Sequence, residues 1–308
     1  MKRLVKKALR PAVDRLRRLV KDSVAESIKQ NVAAPDQDVY NQQIQRSICN
    51  QYALFRSTGA APYPNIRDAG FRVYSQSEED GIILYVLSMI GFKTRRVVEI
   101  CCGAGEECMA TNLILNHGFD GFLFDGSEDN IRCADAFFRS KRDCLLYPPT
   151  LAAAWVTAEN VNDLLSKSGC AGEVDLFSLD IDGNDYWVWD AITTINPRLF
   201  VVETHNVIPA DKSLVIEYRP DFCYLKQTGA ARMYLGASLL AMVKLCRRRG
   251  YRLIGGHRHG FNAFFLREDE GQKFFPEVSI ESVHDNHWSR WNQETNWPLV
   301  KDMPWKQV

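Results

Sequence analysis

The chain has 308 residues, of which 46% are hydrophobic and 25% are charged, a balance that is typical of a globular protein with a sizeable core. Its formal net charge is zero, so no overall positive charge favours a nucleic-acid partner. No apolar run approaches the length of a membrane-spanning helix, and no secretory signal is recognisable.

The cysteine content predicts the compartment. There are nine cysteines, an odd number, and no CxxC pair. This pattern favours free thiols in a reducing compartment over a disulfide scaffold. We therefore expect a cytoplasmic protein.

The charge is unevenly distributed along the chain, because the first residues are strongly basic. Residues 1–22 contain nine bases and two acids, so they carry +7 and the remainder carries −7. Apolar residues at helical spacing predict a basic amphipathic helix over residues 1–30. Such a helix can pack on its own protein, lie on the anionic inner face of a membrane through residues 1–22, or serve as a targeting or oligomer contact. Residues 31–73 are rich in helix breakers and predict a linker that turns into a cover.

The folded domain is predicted over residues 74–267. It opens with a helix that begins near Ser75 and ends at Gly91. The β-branched run Val97–Ile100 then predicts a buried strand, followed by the small-residue turn Cys101–Gly105 and another helix. Strand, glycine turn and helix form the opening unit of a nucleotide-binding α/β sheet. Within the strand, Glu99 would be costly to bury unless something pairs with it.

A second strand, Gly121–Asp125, also ends in an acid. In doubly wound folds the acid at this point binds a ribose hydroxyl, which favours that role for Asp125 over a plain turn or helix cap. The third strand is predicted at Cys144–Tyr147, directly before two prolines.

Polar side chains follow the predicted fourth and fifth strands, Leu176–Ile181 and Arg198–Asn206. A turn and helix cap would account for Asn184 or Asp185, but not for an acid inside a buried strand. Because the carboxyl ends of parallel strands meet at one edge, we expect these groups to bind a hard cation, position a hydroxyl or take its proton. The set comprises Asp180, Asp182, Asn184, Asp185, Glu203, His205 and Asn206.

The last third of the domain is predicted to close the sheet. Residues 207–234 form a long loop of the kind that covers substrates. A helix over 237–249 precedes an antiparallel hairpin, 251–256 with 261–267, which a dehydrogenase sheet does not have. The remaining residues, 268–308, carry four tryptophans and predict either a tail wrapped over the domain or an interaction surface.

In this order, the motifs resemble the FkbM-type class I methyltransferases, which use S-adenosylmethionine. The resemblance covers about residues 74–267. It implies a three-layer α/β sandwich whose mostly parallel seven-stranded sheet has the order 3-2-1-4-5-7-6, with an antiparallel last strand. It also implies methyl transfer to a hydroxyl of a sugar, a glycan or a natural product. The matching stretches are Ser75-Gln76, Glu79–Ile82, Val98-Glu99, Gly103–Gly105, Thr111-Asn112, Leu179–Trp187, Val202-Glu203, Leu235–Leu239 and Gly260–Phe265.

The resemblance assigns roles to individual residues. Cofactor binding is assigned to Gln76, Asp80, Glu99, Gly103, Gly105, Asp125 and Asp180. The family's loop reads Glu-x-Gly-x-Gly-x-Gly, and Cys101 stands at the first glycine position, where its side chain would crowd the turn. The candidate bases are Asp182 and His205. By likeness to metal-dependent O-methyltransferases, the candidate ligands of Mg²⁺ are Asp182, Glu203 and Asn206.

Two other classes of function remain open. The domain can be a binding or scaffold module on a degenerate methyltransferase fold, with Cys101 as the disabling change. It can also be a nicotinamide-dependent oxidoreductase. The loop Gly103-x-Gly105-x-x-Cys108 lacks the third glycine of that class, and such enzymes usually keep the position of Glu99 apolar.

Overall fold

Seven strands form a single sheet in the computed structural model, which describes residues 37–59 and 61–308. The predicted helix over residues 1–30 therefore lies outside the described residues. The strands are β1 (Arg96–Ile100), β2 (Asp120–Asp125), β3 (Thr150–Ala153), β4 (Gly172–Leu179), β5 (Ile195–Glu203), β6 (Tyr251–Gly256) and β7 (Asn262–Arg267).

The strand order across the sheet is β3-β2-β1-β4-β5-β7-β6. Neighbours from β3 to β5 pair in parallel, and β7 pairs antiparallel with both β5 and β6. The predicted order 3-2-1-4-5-7-6 with an antiparallel last strand, the topology of class I methyltransferases, is thus confirmed.

Helices cover both faces of the sheet. Because side chains alternate along a strand, Val97 and Val98 of β1 enter two different cores. One core contains α2, α3 and α4, and the other contains α5, α6 and α7. The helices are α1 (Gln37–Thr58), α2 (Glu79–Ile90), α3 (Thr111–His117), α4 (Glu128–Ser140), α5 (Val161–Lys167), α6 (Asp185–Ala191), α7 (Leu239–Arg248), α8 (Ile280–His284), α9 (His287–Thr295) and α10 (Trp297–Val300). Among these described helices, none combines the length and the apolar character needed to cross a bilayer.

The position predicted for the third strand is wrong. The structure has a 3₁₀ turn at Arg142–Cys144, exposed side chains at Leu145–Tyr147, and strand β3 only from Thr150. Pro148 and Pro149 have no backbone N–H, so the ladder with β2 begins after them. The apolar run that suggested a buried strand is a surface loop.

The segments on either side of the predicted domain belong to the same compact unit, which begins at Ser47. Arg67 donates hydrogen bonds to the carbonyl oxygens of Gly256 and Val283 at 3.2 and 2.8 Å. At the other end, Lys306–Gln307 pairs antiparallel with Leu214–Val215. The tail after residue 267 is therefore wrapped over the domain. None of the nine cysteines, all of which lie within the described residues, forms a disulfide.

Candidate active site

A cavity of about 310 Å³ lies at the carboxyl ends of the first four strands, within the size range of small-molecule sites. Each strand end contributes to its wall: Cys101 follows β1, Asp125 ends β2, Trp155 follows β3 and Asp182 follows β4. The loop 207–234 closes it with residues 222–225, including Tyr224. The loop predicted to be a cover thus lies against the cavity.

The loop after β1 turns sharply through left-handed backbone conformations. Cys101, Gly103 and Gly105 have φ values of +75°, +55° and +80°. A Cβ atom on Gly105 would come 2.9 Å from the Phe138 ring, so a glycine is required there. Cys101 adopts the glycine-like conformation with a side chain, which costs about 1–2 kcal/mol.

We expect Cys101→Gly to raise the free energy of unfolding by about 1 kcal/mol, because glycine adopts this φ without strain. Urea denaturation measures the change. Cys101→Ala is the matched control, since it removes the thiol but keeps the strained Cβ. Equal stability of the two variants would contradict strain at this position.

The thiol of Cys101 faces the cavity as a neutral group. The protein around it raises its pKa, and the carboxylates of Asp180 and Asp125 raise the pKa further. A thiolate, which is the nucleophilic form of cysteine, is therefore disfavoured here. Cys101 forms part of the wall and is not poised as a nucleophile.

Asp125 ties together the loops that follow β1 and β2. One oxygen, Oδ2, accepts from the backbone N–H of Gly103 at 2.9 Å. The other, Oδ1, accepts from the Ser127 N–H at 2.9 Å and from Asn130 Nδ2 at 3.0 Å. The carboxylate is buried yet lines the cavity, so the remaining lone pair, on Oδ2, is left for a ligand.

Two of the residues predicted to bind the cofactor, Glu99 and Asp80, instead accept hydrogen bonds from the protein's own backbone. Glu99 accepts from the N–H groups of Met109 and Ala110 at 3.1 and 2.6 Å, and burial raises its pKa to about 7. Asp80 Oδ2 accepts from the N–H groups of residues 73–75, each at 2.7 Å. Neither residue lines the cavity, and Gln76 is exposed. Their contacts shape the loops around the site.

The turn after β4 is built around Asp185. Its carboxylate accepts from the N–H groups of Ile181 and Gly183, both at 2.9 Å, and burial raises its pKa to about 6. This turn holds Asp182 at φ +52°, a left-handed conformation that aspartate tolerates better than most residues. Asp185 thereby fixes the position of the carboxylate that lines the cavity.

Asn184 presents an unused acceptor at the cavity. Its Nδ2 donates to the Arg219 carbonyl oxygen at 2.8 Å. Its Oδ1 is buried and has no hydrogen-bond partner among the residues that the structure describes. A buried acceptor without a donor costs about 1–3 kcal/mol, so a ligand that donates to this oxygen would be favoured.

The ends of β4 and β5 bring three carboxyl groups together. Asp180, Asp182 and Glu203 each place an oxygen within 4.8 Å of the others. Burial raises the pKa values of Asp180 and Glu203 well above the ordinary range, and mutual charge repulsion with Asp182 adds to the effect. Because their oxygens lie this close together, one proton held between Asp180 and Glu203 is favoured over two ionised groups. Burial also raises the pKa of Asp182.

These shifts predict how stability depends on pH. A carboxyl whose pKa is raised in the folded state holds its proton more tightly there than in the unfolded chain. The folded protein therefore loses stability as pH rises from about 4, the unfolded carboxyl value, through the raised pKa. Glu203→Gln removes this titration. We expect its stability relative to wild type, measured by urea denaturation, to be greater at pH 8 than at pH 5. An equal difference at both pH values would contradict the shared proton.

His205 and Asn206 turn away from the carboxyl group of Glu203. His205 Nε2 lies 2.7 Å from the carbonyl oxygen of Met233, and because a carbonyl can only accept, this nitrogen carries a proton. Burial lowers the pKa of His205 to about 4. Asn206 Oδ1 accepts from Asn292 at 3.1 Å, and its Nδ2 donates to the His259 carbonyl oxygen at 2.9 Å. The carboxyl cluster consists of Asp180, Asp182 and Glu203.

Several residues of the cavity have no predicted role from the sequence. Ser127 and Asn130 line it beside Asp125, and their positions directly after the acid could have suggested them. Trp155 and Tyr224 come from loops whose contacts depend on the whole fold. The carboxylate of Asp182 is the largest cause of the raised pKa of Tyr224. The phenol therefore interacts electrostatically with the carboxyl cluster.

No protein-family model matches the chain, and no curated protein sequence is significantly similar to it. Among solved structures it is similar to a putative caffeoyl-CoA O-methyltransferase from Staphylococcus aureus, with 12% identity, 81% of this chain and 99% of that chain covered, and a TM-score of 0.39. It is also similar to the N-terminal domain of EvdMO1 with SAH bound, with 13% identity, coverages of 73% and 94%, and a TM-score of 0.40.

A third similar structure is the CMeT domain of the citrinin polyketide synthase, with 13% identity and a TM-score of 0.40. The match covers 63% of this chain, which spans about half of that structure (54%).

Proposed function

We propose that this protein is an S-adenosylmethionine-dependent methyltransferase that transfers a methyl group to a hydroxyl. The observation that carries the proposal is that one cavity is lined both by Asp125, a buried carboxylate at the end of β2, and by Asp182, a carboxylate with a raised pKa after β4. The first group suits a ribose, and the second suits removal of a proton.

The lining fits the cofactor chemically. Asp125 Oδ2 supplies an acceptor for a ribose hydroxyl, and Asn184 Oδ1 supplies a buried acceptor that lacks a donor. Ile100, Val156 and the ring of Trp155 offer apolar surface for a purine. When bound, S-adenosylmethionine supplies an electrophilic methyl group on a cationic sulfur. The negative carboxyl cluster favours that charge.

Asp182 is assigned as the general base. It accepts the proton of the acceptor hydroxyl while the oxygen forms its bond to carbon and the sulfur–carbon bond breaks. Its raised pKa moves it toward working pH, where a base is most effective. Asp180 and Glu203 retain their shared proton and place less negative charge beside Asp182 than two ionised groups would. Tyr224 remains a protonated phenol and can donate a hydrogen bond to the base or the acceptor.

The same three carboxyl groups also suit a divalent cation. Oxygen ligands are what Mg²⁺ prefers, and Asp180, Asp182 and Glu203 would hold it. A bound cation would lower the pKa of an acceptor hydroxyl. Loss of transfer in EDTA, with recovery on added Mg²⁺, would establish this role; full activity in EDTA would leave Asp182 as the base.

We propose a hydroxyl on a sugar, a glycan or a natural product as the acceptor, and a peripheral membrane contact through residues 1–22. The proposal is tested by incubating the protein with S-adenosylmethionine that carries a labelled methyl group and a panel of such acceptors. Label in a product that appears with the wild type and not with Asp182→Asn supports it. Label that appears equally with both proteins would contradict the role of Asp182.

A further inference from the structure

Three consecutive apolar side chains protrude from the surface ahead of strand β3. Leu145, Leu146 and Tyr147 are 65%, 80% and 83% exposed, and they are called the apolar loop 145–147 below. Scattered exposed apolar residues are common, but an uninterrupted exposed run of this kind marks a binding surface.

The apolar loop 145–147 stands on a fixed base. Before it, the turn Arg142–Cys144 packs against helices α3 and α4, and Cys144 is buried. After it, Pro149 is buried against Gly121 of the neighbouring strand β2. Because both ends are anchored, the three side chains are held out from the surface.

Basic residues directly precede this apolar tip in the chain. The stretch 139–147 contains three bases, Arg139, Lys141 and Arg142, and one acid. Both arginines are exposed, although Arg139 is also paired with Asp135 on the same helix. Apolar side chains that reach the acyl boundary, with cations at the headgroup level, are typical of segments that bind anionic membranes.

The position of the loop is compatible with such a contact. It precedes a strand, so it lies at the edge of the sheet opposite the cavity, which lies at the carboxyl ends of the strands. Contact through this edge leaves the cavity open to the aqueous side. Stable peripheral binding needs two weak membrane-binding elements. The loop is one, and residues 1–22, with a net charge of +7, provide the second.

We propose that the apolar loop 145–147 inserts into the interface of an anionic lipid bilayer. A second copy of this chain is a poorer occupant, because a stable protein interface buries about 800 Å² on each partner, far more than three side chains supply. Insertion of this loop does not depend on what the cavity binds.

Vesicle flotation with the full chain tests the proposal. We expect wild type to float with vesicles that contain about 30% phosphatidylglycerol and not with pure phosphatidylcholine. Leu146→Glu and Leu146→Lys should both lower the bound fraction about tenfold or more, because each removes an inserted side chain. The lysine variant is decisive, since a purely electrostatic contact would be strengthened by it.

Leu299→Glu and Leu299→Lys are the matched controls, because Leu299 is 56% exposed on α10. They should float like wild type. The proposal is overturned if wild type does not float with the anionic vesicles, or if Leu146→Lys floats as well as wild type. It is also overturned if size-exclusion chromatography without lipid shows a wild-type dimer that Leu146→Glu converts to a monomer.

Discussion

Replacement of Asp182 by Asn is expected to lower the rate of methyl transfer by about 10²- to 10⁴-fold, the range that a general base contributes. Asparagine keeps the shape and tolerates the left-handed φ of +52° at this position, so the turn should fold as in wild type. What is lost is the group that accepts the hydroxyl proton. Single-turnover transfer at saturating S-adenosylmethionine measures the chemical step.

Asp190→Asn is the matched control, because Asp190 lies at the exposed end of helix α6, which begins directly after the same turn. It should transfer at the wild-type rate. The wild-type rate should rise with pH through the raised pKa of Asp182, since the base must be ionised. The rate of Asp182→Asn should not show this rise. Full activity of Asp182→Asn would show that another group takes the proton.

Asp125→Ala is expected to weaken the binding of S-adenosylmethionine at least about 100-fold. Two effects add. The ribose loses its acceptor, and the N–H groups of Gly103 and Ser127 lose the carboxylate that holds both loops, at about 1–3 kcal/mol for each unsatisfied donor. Isothermal titration calorimetry with S-adenosylmethionine measures the affinity.

Asp120→Ala is the control for this prediction. Asp120 begins the same strand, is exposed and lies at the opposite edge of the sheet. Its replacement should leave the affinity unchanged, and thermal melting should show that both variants are folded. Wild-type affinity in Asp125→Ala would remove this residue from the cofactor site.

Much of the sheet could be predicted because its central strands are buried on both faces. Runs such as Val97–Ile100 and Leu176–Ile181 have few other stable placements. Strand β3 is an edge strand with a weak pattern, Thr-Leu-Ala-Ala, and the more apolar Leu145–Tyr147 lies next to it. Hydrophobic pattern alone does not distinguish a buried run from a surface run that binds something else.

The carboxyl cluster could be predicted because parallel strands bring their carboxyl ends to one edge. Which residues belong to the cluster could not be predicted, because membership depends on where the chain turns after β5. Directly after β5, the N–H groups of Thr204 and His205 bond to the carbonyl oxygens of Phe261 and Ala237, which belong to distant segments. These contacts carry His205 and Asn206 away from the cluster. The contribution of Tyr224 likewise depends on the folding of the cover.

Calorimetric titration of the wild-type protein with S-adenosylmethionine and with NAD tests the central claim most directly. We predict that S-adenosylmethionine binds at one site per chain, that NAD does not bind, and that Asp125→Ala abolishes the heat of binding. Binding of NAD alone would favour a nicotinamide-dependent oxidoreductase. Binding of neither would contradict both enzymes and favour a scaffold on a degenerate methyltransferase fold.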